Sequence, residues 1–262
     1  MSDYFDNPRN KTVRKSNELI QKSRFKLSLN QQKIFLYLIS QISPFDEEFK
    51  TYQFNIADFC RVCGIDKSGN GYNEIKRNIQ DIADNSSFWL KQEDEEILVR
   101  LIDKSRMKEK SGIIQIKLDE DLKPYLLQLR ENYTQYDLVF TLTFKCKYSI
   151  RLYELIKSIH FDELKPYIKT YTLDDIRVLL GAEKYQVYNE FRRFVLNPAI
   201  EEINKNTDKT ITFIPIKQGK KVVEIKFEIE TKDIVERAEV RAYAEKLLDK
   251  QITFFDEGII NE

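Results

Sequence analysis

A five-residue pattern, Asn-Glu-x-Lys/Arg-Arg, occurs twice in this chain of 262 residues, as NEIKR at 73–77 and NEFRR at 189–193. An arginine guanidinium presents two parallel N–H donors to a planar pair of acceptors, and an asparagine or glutamine amide presents a donor and an acceptor side by side. These geometries match the edges of guanine and adenine in the DNA major groove, where each such pair discriminates against a wrong base by roughly 1–3 kcal/mol. A helix over 185–204 must bury Val187, Phe191, Phe194 or Val195, and Ile200. At about 100° per residue that turns Gln186, Asn189, Arg192 and Arg193 away from the core as candidate base contacts. Lys184 at the helix start and Lys217, Lys220 and Lys221 in the following hairpin suit phosphate, where a cation positions a protein without reading sequence. In the first copy the equivalent groove-facing set is Asn73, Lys76 and Arg77, with Arg100, Lys104, Arg106, Lys108 and Lys110 along its hairpin. The bland alternative is that each is a solvated surface charge; recurrence of the pattern in both halves argues against it for Arg77 and Arg193. Beyond Pro198 the polar face turns acidic at Glu201 and Glu202, which phosphate would repel.

Other chemistries are poorly supplied. Cys60 and Cys63 have the spacing of a zinc or redox half-site, but there is no second pair and Cys146 stands alone. A single histidine, His160, excludes the paired-histidine metal site of rolling-circle nicking enzymes. SGNGY (68–72) is glycine-rich but lacks the Lys-Ser/Thr ending of a phosphate-binding loop, and reads as a turn. The acidic runs EDEE (93–96) and DED (119–121) fit hairpin and helix-start residues. No catalytic role, cofactor or metal is expected.

The elements that must hold the basic residues come in two sets. TYQFNIADFCRVCGID (51–66) and KTYTLDDIRVLLGAE (169–183) align at an offset of 117 residues, with Phe54 on Tyr171, Ile56 on Leu173, Asp58 on Asp175, Val62 on Leu179 and Gly64 on Gly181. After one residue of offset is lost, the two pentads align. Each copy begins with an apolar-periodic helix, QQKIFLYLISQI (31–42) or YSIRLYELIKSI (148–159). In the second of these Tyr148, Ile150, Leu152, Tyr153 and Ile156 are available for the core, while Lys147 and Arg151 reach the DNA backbone at most. An extended segment follows, then a short helix (56–62; 173–179) closed by a glycine suited to a left-handed cap, then the helix with the pentad. Strands come last: 87–91, 96–102 and 112–118 in copy one; 210–217 and 222–230 in copy two, joined by Gln218, Gly219 and Lys220. This is the order of a winged helix-turn-helix domain, in which the helix after the glycine turn enters the major groove and the hairpin wing touches an adjacent groove or the backbone. The expected fold class is α+β, two tandem winged helix-turn-helix domains related by internal duplication.

Composition agrees. At 42% hydrophobic and 12% aromatic the chain can bury one large core or two modest ones, and two domains are expected. A polar N-terminus and the lack of an 18-residue apolar run predict neither signal peptide nor membrane span, hence a cytoplasmic protein; three cysteines make no disulfide framework. The net charge is zero but unevenly spread. A basic N-terminal arm (1–28) carries +4, domain 1 (29–144) −4, domain 2 (145–231) +3, and a C-terminal helix with an acidic tail (232–262) −3. Domain 2 is therefore expected to supply most of the DNA affinity. Outside the duplication, QITFF (Gln251, Ile252, Phe254 and Phe255 its motif positions) is similar to the peptide with which bacterial replication proteins dock on the sliding clamp, with Phe254 where leucine is usual. The alternative is that these aromatics pack back on the fold or end a tail.

VRKSNELI (13–20), YSIRLYELIK, FRRFVLNPAIEEIN (191–204) and GKKVVEIKFEI (219–229), in this order and spacing, make residues 13–230 resemble the initiator proteins of iteron-containing theta-replicating plasmids. The resemblance implies that monomers bind direct repeats at an origin through both domains. It implies that dimers, joined through domain 1, bind an inverted repeat and repress the protein's own gene. Host factors such as the host initiator and replicative helicase would be recruited. Carried onto this sequence, Arg192 and Arg193 match arginines of the second recognition helix, and Lys220 and Lys221 match basic wing residues. The rival reading is a tandem winged-helix transcription regulator, which would protect a lone palindrome rather than several direct repeats.

Overall fold

The computed structural model describes residues 10–257 apart from 25, 64–70, 92–93, 109–110 and 163. Strand β1 (Thr12–Ser16) leads into α1 (Asn17–Lys22) and α2 (Leu29–Ile39). Two serines start these helices: Ser16 caps α1, and Ser28 and Gln31 form a reciprocal capping box on α2. The first unit continues with β2 (Tyr52–Asn55), α3 (Ile56–Cys63), α4 (Gly71–Asn85), β3 (Phe88–Lys91), β4 (Glu96–Val99), β5 (Ile102–Lys108) and β6 (Ile113–Leu118). A short turn, α5 (Lys123–Leu126), β7 (Tyr133–Asp137) and α6 (Leu138–Leu142) lead to α7 (Lys147–Ile159). The second unit is β8 (Tyr167–Thr172), α8 (Leu173–Leu180), α9 (Tyr188–Phe191), a π-helical turn (Arg192–Leu196), α10 (Asn197–Asn206), β9 (Lys209–Gln218) and β10 (Lys221–Thr231), followed by α11 (Ile234–Glu257).

The duplication is visible in the sheets. Both are three-stranded and antiparallel, ordered β2-β6-β5 and β8-β10-β9, with the strand before the short helix paired to the second strand of the wing. Two features of copy one depart from expectation. The wing is β5–β6, whereas β3–β4 forms a separate hairpin without a counterpart in copy two. β5 was not legible as a strand because it is an edge strand whose residues Asp103 to Arg106 are all exposed, leaving no apolar alternation to read.

The expected basic arm is not a separate element over its described part. β1 pairs with β7 from Thr12↔Asp137 to Ser16↔Tyr133, and Val13, Leu19 and Ile20 are buried. Nor are there two separate cores: the buried apolar residues form one cluster running from Val13 to Leu248. α11 closes the fold over both halves. Ala244 and Leu248 are buried, Arg241 pairs with Asp137, and Lys205 lies 5.5 Å over the Tyr243 ring. The sequence-predicted clamp residues Gln251, Ile252, Phe254 and Phe255 fall on the last turns of α11, where the side chains lie outside the described set.

α7 is the spine on which the halves meet, and most of its polar residues are buried. Glu154, 1% exposed, accepts Lys15 Nζ at 2.6 Å and the Tyr136 hydroxyl at 2.5 Å. On the other side Tyr153 donates to Asp208 at 2.7 Å and Lys157 pairs with the same carboxylate at 2.9 Å. Burial pushes the Lys15 ammonium down and the Tyr136 phenol well up, so the tyrosine stays a neutral donor to Glu154. Arg151 corrects the sequence expectation. It is 6% exposed and donates to the Ile20, Ser23 and Leu179 carbonyls, so it cannot reach DNA; it satisfies carbonyls at the ends of α1 and α8. Glu202 also has a structural job: from α10 it accepts Lys145 N, Cys146 N and the Ser149 hydroxyl, capping α7 where no residue of its own does.

Removing one partner of a buried ion pair strands the other. Glu154→Ala is therefore expected to lower the unfolding free energy by about 3–5 kcal/mol, read from urea denaturation, with Lys15→Met/Glu154→Leu recovering most of the loss. A single-variant loss under 1 kcal/mol would show that the pair does not hold the fold.

Candidate nucleic-acid interface

The second unit's site is built around a turn. Thr172 caps α8, accepting from Asp175 N at 3.1 Å, and Gly181 ends it with φ +63°, the left-handed conformation that the predicted glycine cap required. The chain then makes a turn in which Tyr185 N donates to the Ala182 carbonyl at 3.0 Å, passes Val187 in an extended conformation (φ −82°, ψ 126°) and enters α9. From Tyr188 to Asn206 the backbone stays right-handed helical, but Pro198 has no N–H to donate and its ring crowds the Phe194 carbonyl. The helix accommodates this with a π turn, in which Asn197 N donates to Arg192 O five residues back.

That extra residue in one turn sets which side chains face out. Phe191, Val195 and Leu196 are fully buried, whereas Arg192 and Arg193 are exposed and Phe194 is 46% exposed. Of the two alternatives for the core, Val195 is in and Phe194 out. Val187, expected in the core, is 57% exposed, because the helix begins after it and the extended backbone there directs it off the buried face.

Four of the sequence-predicted residues of this unit converge, while Lys184, Arg192, Arg193 and Lys217 lie outside the groove they line. Gln186, Asn189, Lys220 and Lys221 line one groove of about 520 Å³ between the start of α9 and the wing. The wing turn has Gly219 at φ +62° as its first residue, which lets a two-residue loop follow the strand twist and places Lys220 at its tip. Lys217 is exposed along the same wing. Gln186 is tethered, its amide donating to the Glu183 carbonyl at 2.5 Å. Lys184 and Arg193 lie over aromatic rings, 4.9 Å from Tyr185 and 5.1 Å from Phe194, and those two rings stack on each other at 5.8 Å. The stacked pair is a platform with a cation over each ring. Lys147 lies apart at the start of α7, half-buried, its ammonium 5.0 Å over Tyr148.

The first unit repeats the pattern. Ile75 and Phe191, central in their pentads, are both fully buried, and Asn73, Lys76 and Arg77 are exposed on α4 as Arg192 and Arg193 are on the π turn. Lys76 and Arg106 border one groove of about 290 Å³ between α4 and β5. Arg100 and Lys104 are exposed nearby, whereas Lys110 and the side chain of Lys108 fall outside the described residues. Cys60 is 2% exposed in the core, and among the described residues no group of three or more His, Cys, Asp or Glu could hold a metal ion. His160 ends α7, its Nε2 2.8 Å from the Lys165 carbonyl. Among the described residues no helix is long and apolar enough to cross a membrane.

Sequence reasoning missed Arg177. It is 6% exposed on α8, its guanidinium donating to the Gln186 carbonyl at 2.6 Å, pairing with Asp174 at 3.1 Å and lying 5.6 Å from the Phe191 ring. It thereby ties α8 to the turn that leads into α9. The signal was present: at the offset of 117, Arg177 aligns with Cys60, so a charged residue occupies a core position.

Two family models match, one described as Initiator Replication protein, WH1 over residues 12–157 and one as Initiator Rep protein, WH2 over residues 172–229. The PI protein of Escherichia coli is 29% identical over 161 residues, covering 55% of this chain and only 52% of that relative's length. An Escherichia coli replication initiation protein is 24% identical over 230 residues, covering 83% of this chain and 69% of its own. The crystal structure of Pi initiator protein in complex with iteron DNA superposes with a TM-score of 0.70 at 21% identity, over 86% of this chain and 99% of that one. The likeness extends to the fold of two winged-helix domains.

Arg177→Ala removes charge-assisted hydrogen bonds that hold the 181–187 turn. It is expected to cost about 2–3 kcal/mol and to speed amide exchange at 182–188 more than elsewhere in the second unit. Uniform acceleration across the unit would contradict a local role.

Proposed function

The chain belongs to the initiator replication protein family, and from that membership and its two basic grooves we propose that it initiates plasmid replication by binding direct repeats, iterons, at the origin. The observation that carries this is the convergence of Gln186, Asn189, Lys220 and Lys221 on one groove at the start of α9. The amides of Gln186 and Asn189 read base edges there, Arg192 and Arg193 read them from the π turn that follows, and the wing lysines hold phosphate. Asn189, Arg192 and Arg193 with Gln186 make the principal base contacts; Asn73, Lys76 and Arg77 make accessory ones. Lys184, Lys217, Lys220 and Lys221, with Arg100, Lys104 and Arg106 in the first unit, hold the backbone. The reading assigns the protein no catalytic step and no cofactor, and places it in the cytoplasm.

A monomer would place its two units on successive stretches of major groove. A dimer would bind an inverted repeat in its own promoter and repress its own gene. The β3–β4 hairpin supports dimerisation through the first unit: Trp89 and Leu98 are directly opposed on it and are 54% and 45% exposed. Paired large apolar side chains on an added element form a surface that association would bury. The host initiator, replicative helicase and, through 251–255, the sliding clamp are the partners this role calls for.

Arg193→Ala should weaken binding to the specific site by about 1–3 kcal/mol and leave non-specific binding nearly unchanged. Lys220→Ala should weaken both and reduce the slope of log K against log salt by about 0.9. Equal losses in both assays for both variants would overturn the assignment of the two residues.

A further inference from the structure

Val187 is an apolar, β-branched side chain left 57% exposed in the groove between Gln186, Asn189 and the wing lysines. Its exposure follows from the fixed backbone around it. Arg177 holds the carbonyl of Gln186, and the Val187 carbonyl accepts from Glu190 N at 3.1 Å and Phe191 N at 3.0 Å. With the backbone pinned on both sides and rotation about χ1 restricted by the branch at Cβ, its two methyl groups have little freedom. The exposed apolar residue of the helix that follows, Phe194, is engaged by the Tyr185 ring and the Arg193 guanidinium. Among the described residues no ring or cation contact engages Val187 in this way.

Residues at the start of a recognition helix are those that reach base edges, and the major-groove edge offers one apolar feature, the 5-methyl group of thymine. We propose that Val187 is a specificity-determining residue that packs on a thymine methyl beside the bases read by Gln186 and Asn189. With the pentads in register the equivalent position in copy one is Gly71, which has no side chain to offer, so this contact belongs to the second unit alone. The inference rests on the DNA-binding reading above and adds a thymine to the sequence that the second unit recognises.

The test uses the tightest duplex selected by the full-length protein from a random-sequence pool, with each thymine replaced in turn by deoxyuridine, which deletes only the methyl group. Withdrawing one methyl from water corresponds to about a fourfold change in affinity. One such replacement should weaken the wild-type protein about fourfold at fixed salt. Val187→Ala should bind the thymine duplex more weakly and be indifferent to that replacement, while Val187→Thr, which keeps the branch and one methyl, should retain part of the sensitivity. Thermal unfolding of both variants should match wild type, as the side chain is exposed. The inference fails if no thymine is sensitive, or if the deoxyuridine penalty is as large in Val187→Ala as in wild type. Failure to enrich any sequence would instead count against the DNA-binding reading itself.

Discussion

The buried carboxylate of Glu154 is the constraint from which the rest follows. A charge that is 1% exposed survives folding only if donors meet it, and here the donors come from β1 and β7, strands far apart in sequence. One residue before it on α7, Tyr153 turns to the other side and holds Asp208 of the second unit; three before it, Arg151 ties together the ends of α1 and α8. Apolar packing alone would let one unit slide or rotate against the other at modest cost. Directional hydrogen bonds to a buried charge do not, and so α7, which holds Asp208 of the second unit through Tyr153, is tied to β1 and β7. The proposed binding of repeated DNA through both units would draw on that attachment, since the spacing of the grooves is set by the duplex.

On this common frame the two units have diverged. The first keeps the sheet order and buried pentad centre of its twin, but acquires the β3–β4 hairpin with Trp89 and Leu98 outward and has glycine at the position equivalent to Val187. The second has the aromatic platform under Lys184 and Arg193, the Arg177 brace and the π turn. The divergence fits a division of labour between a unit suited to association and a unit suited to reading sequence.

Much of this was legible in the residues. Apolar periodicity located α2, α7, α8 and the long strands β9 and β10 to within a few residues, and the 117-residue offset revealed the duplicated order. The glycine cap at 181 was legible because only particular residues tolerate its backbone angles, whereas the wing turn, expected over Gln218, Gly219 and Lys220, is Gly219 and Lys220 alone, with Gln218 still paired in the strand. What failed did so for reasons of three-dimensional context. Arg151 and Glu202 look like surface charges until the unsatisfied carbonyls and N–H groups of neighbouring helix ends are brought beside them. Val187 looked like core because helical phase was counted from a residue that lies outside the helix. Residues 12–28 looked like a free basic arm because nothing in the sequence shows that Lys15 will meet Glu154.

On the proposed function, both units engage one DNA site at a fixed spacing. Hydroxyl-radical footprinting of the protein on a single repeat tests it most directly. Two protected windows on the same face of the duplex, about one helical turn apart, are predicted. One protected window, centred on the contacts of α9 with no second window from α4, would contradict it.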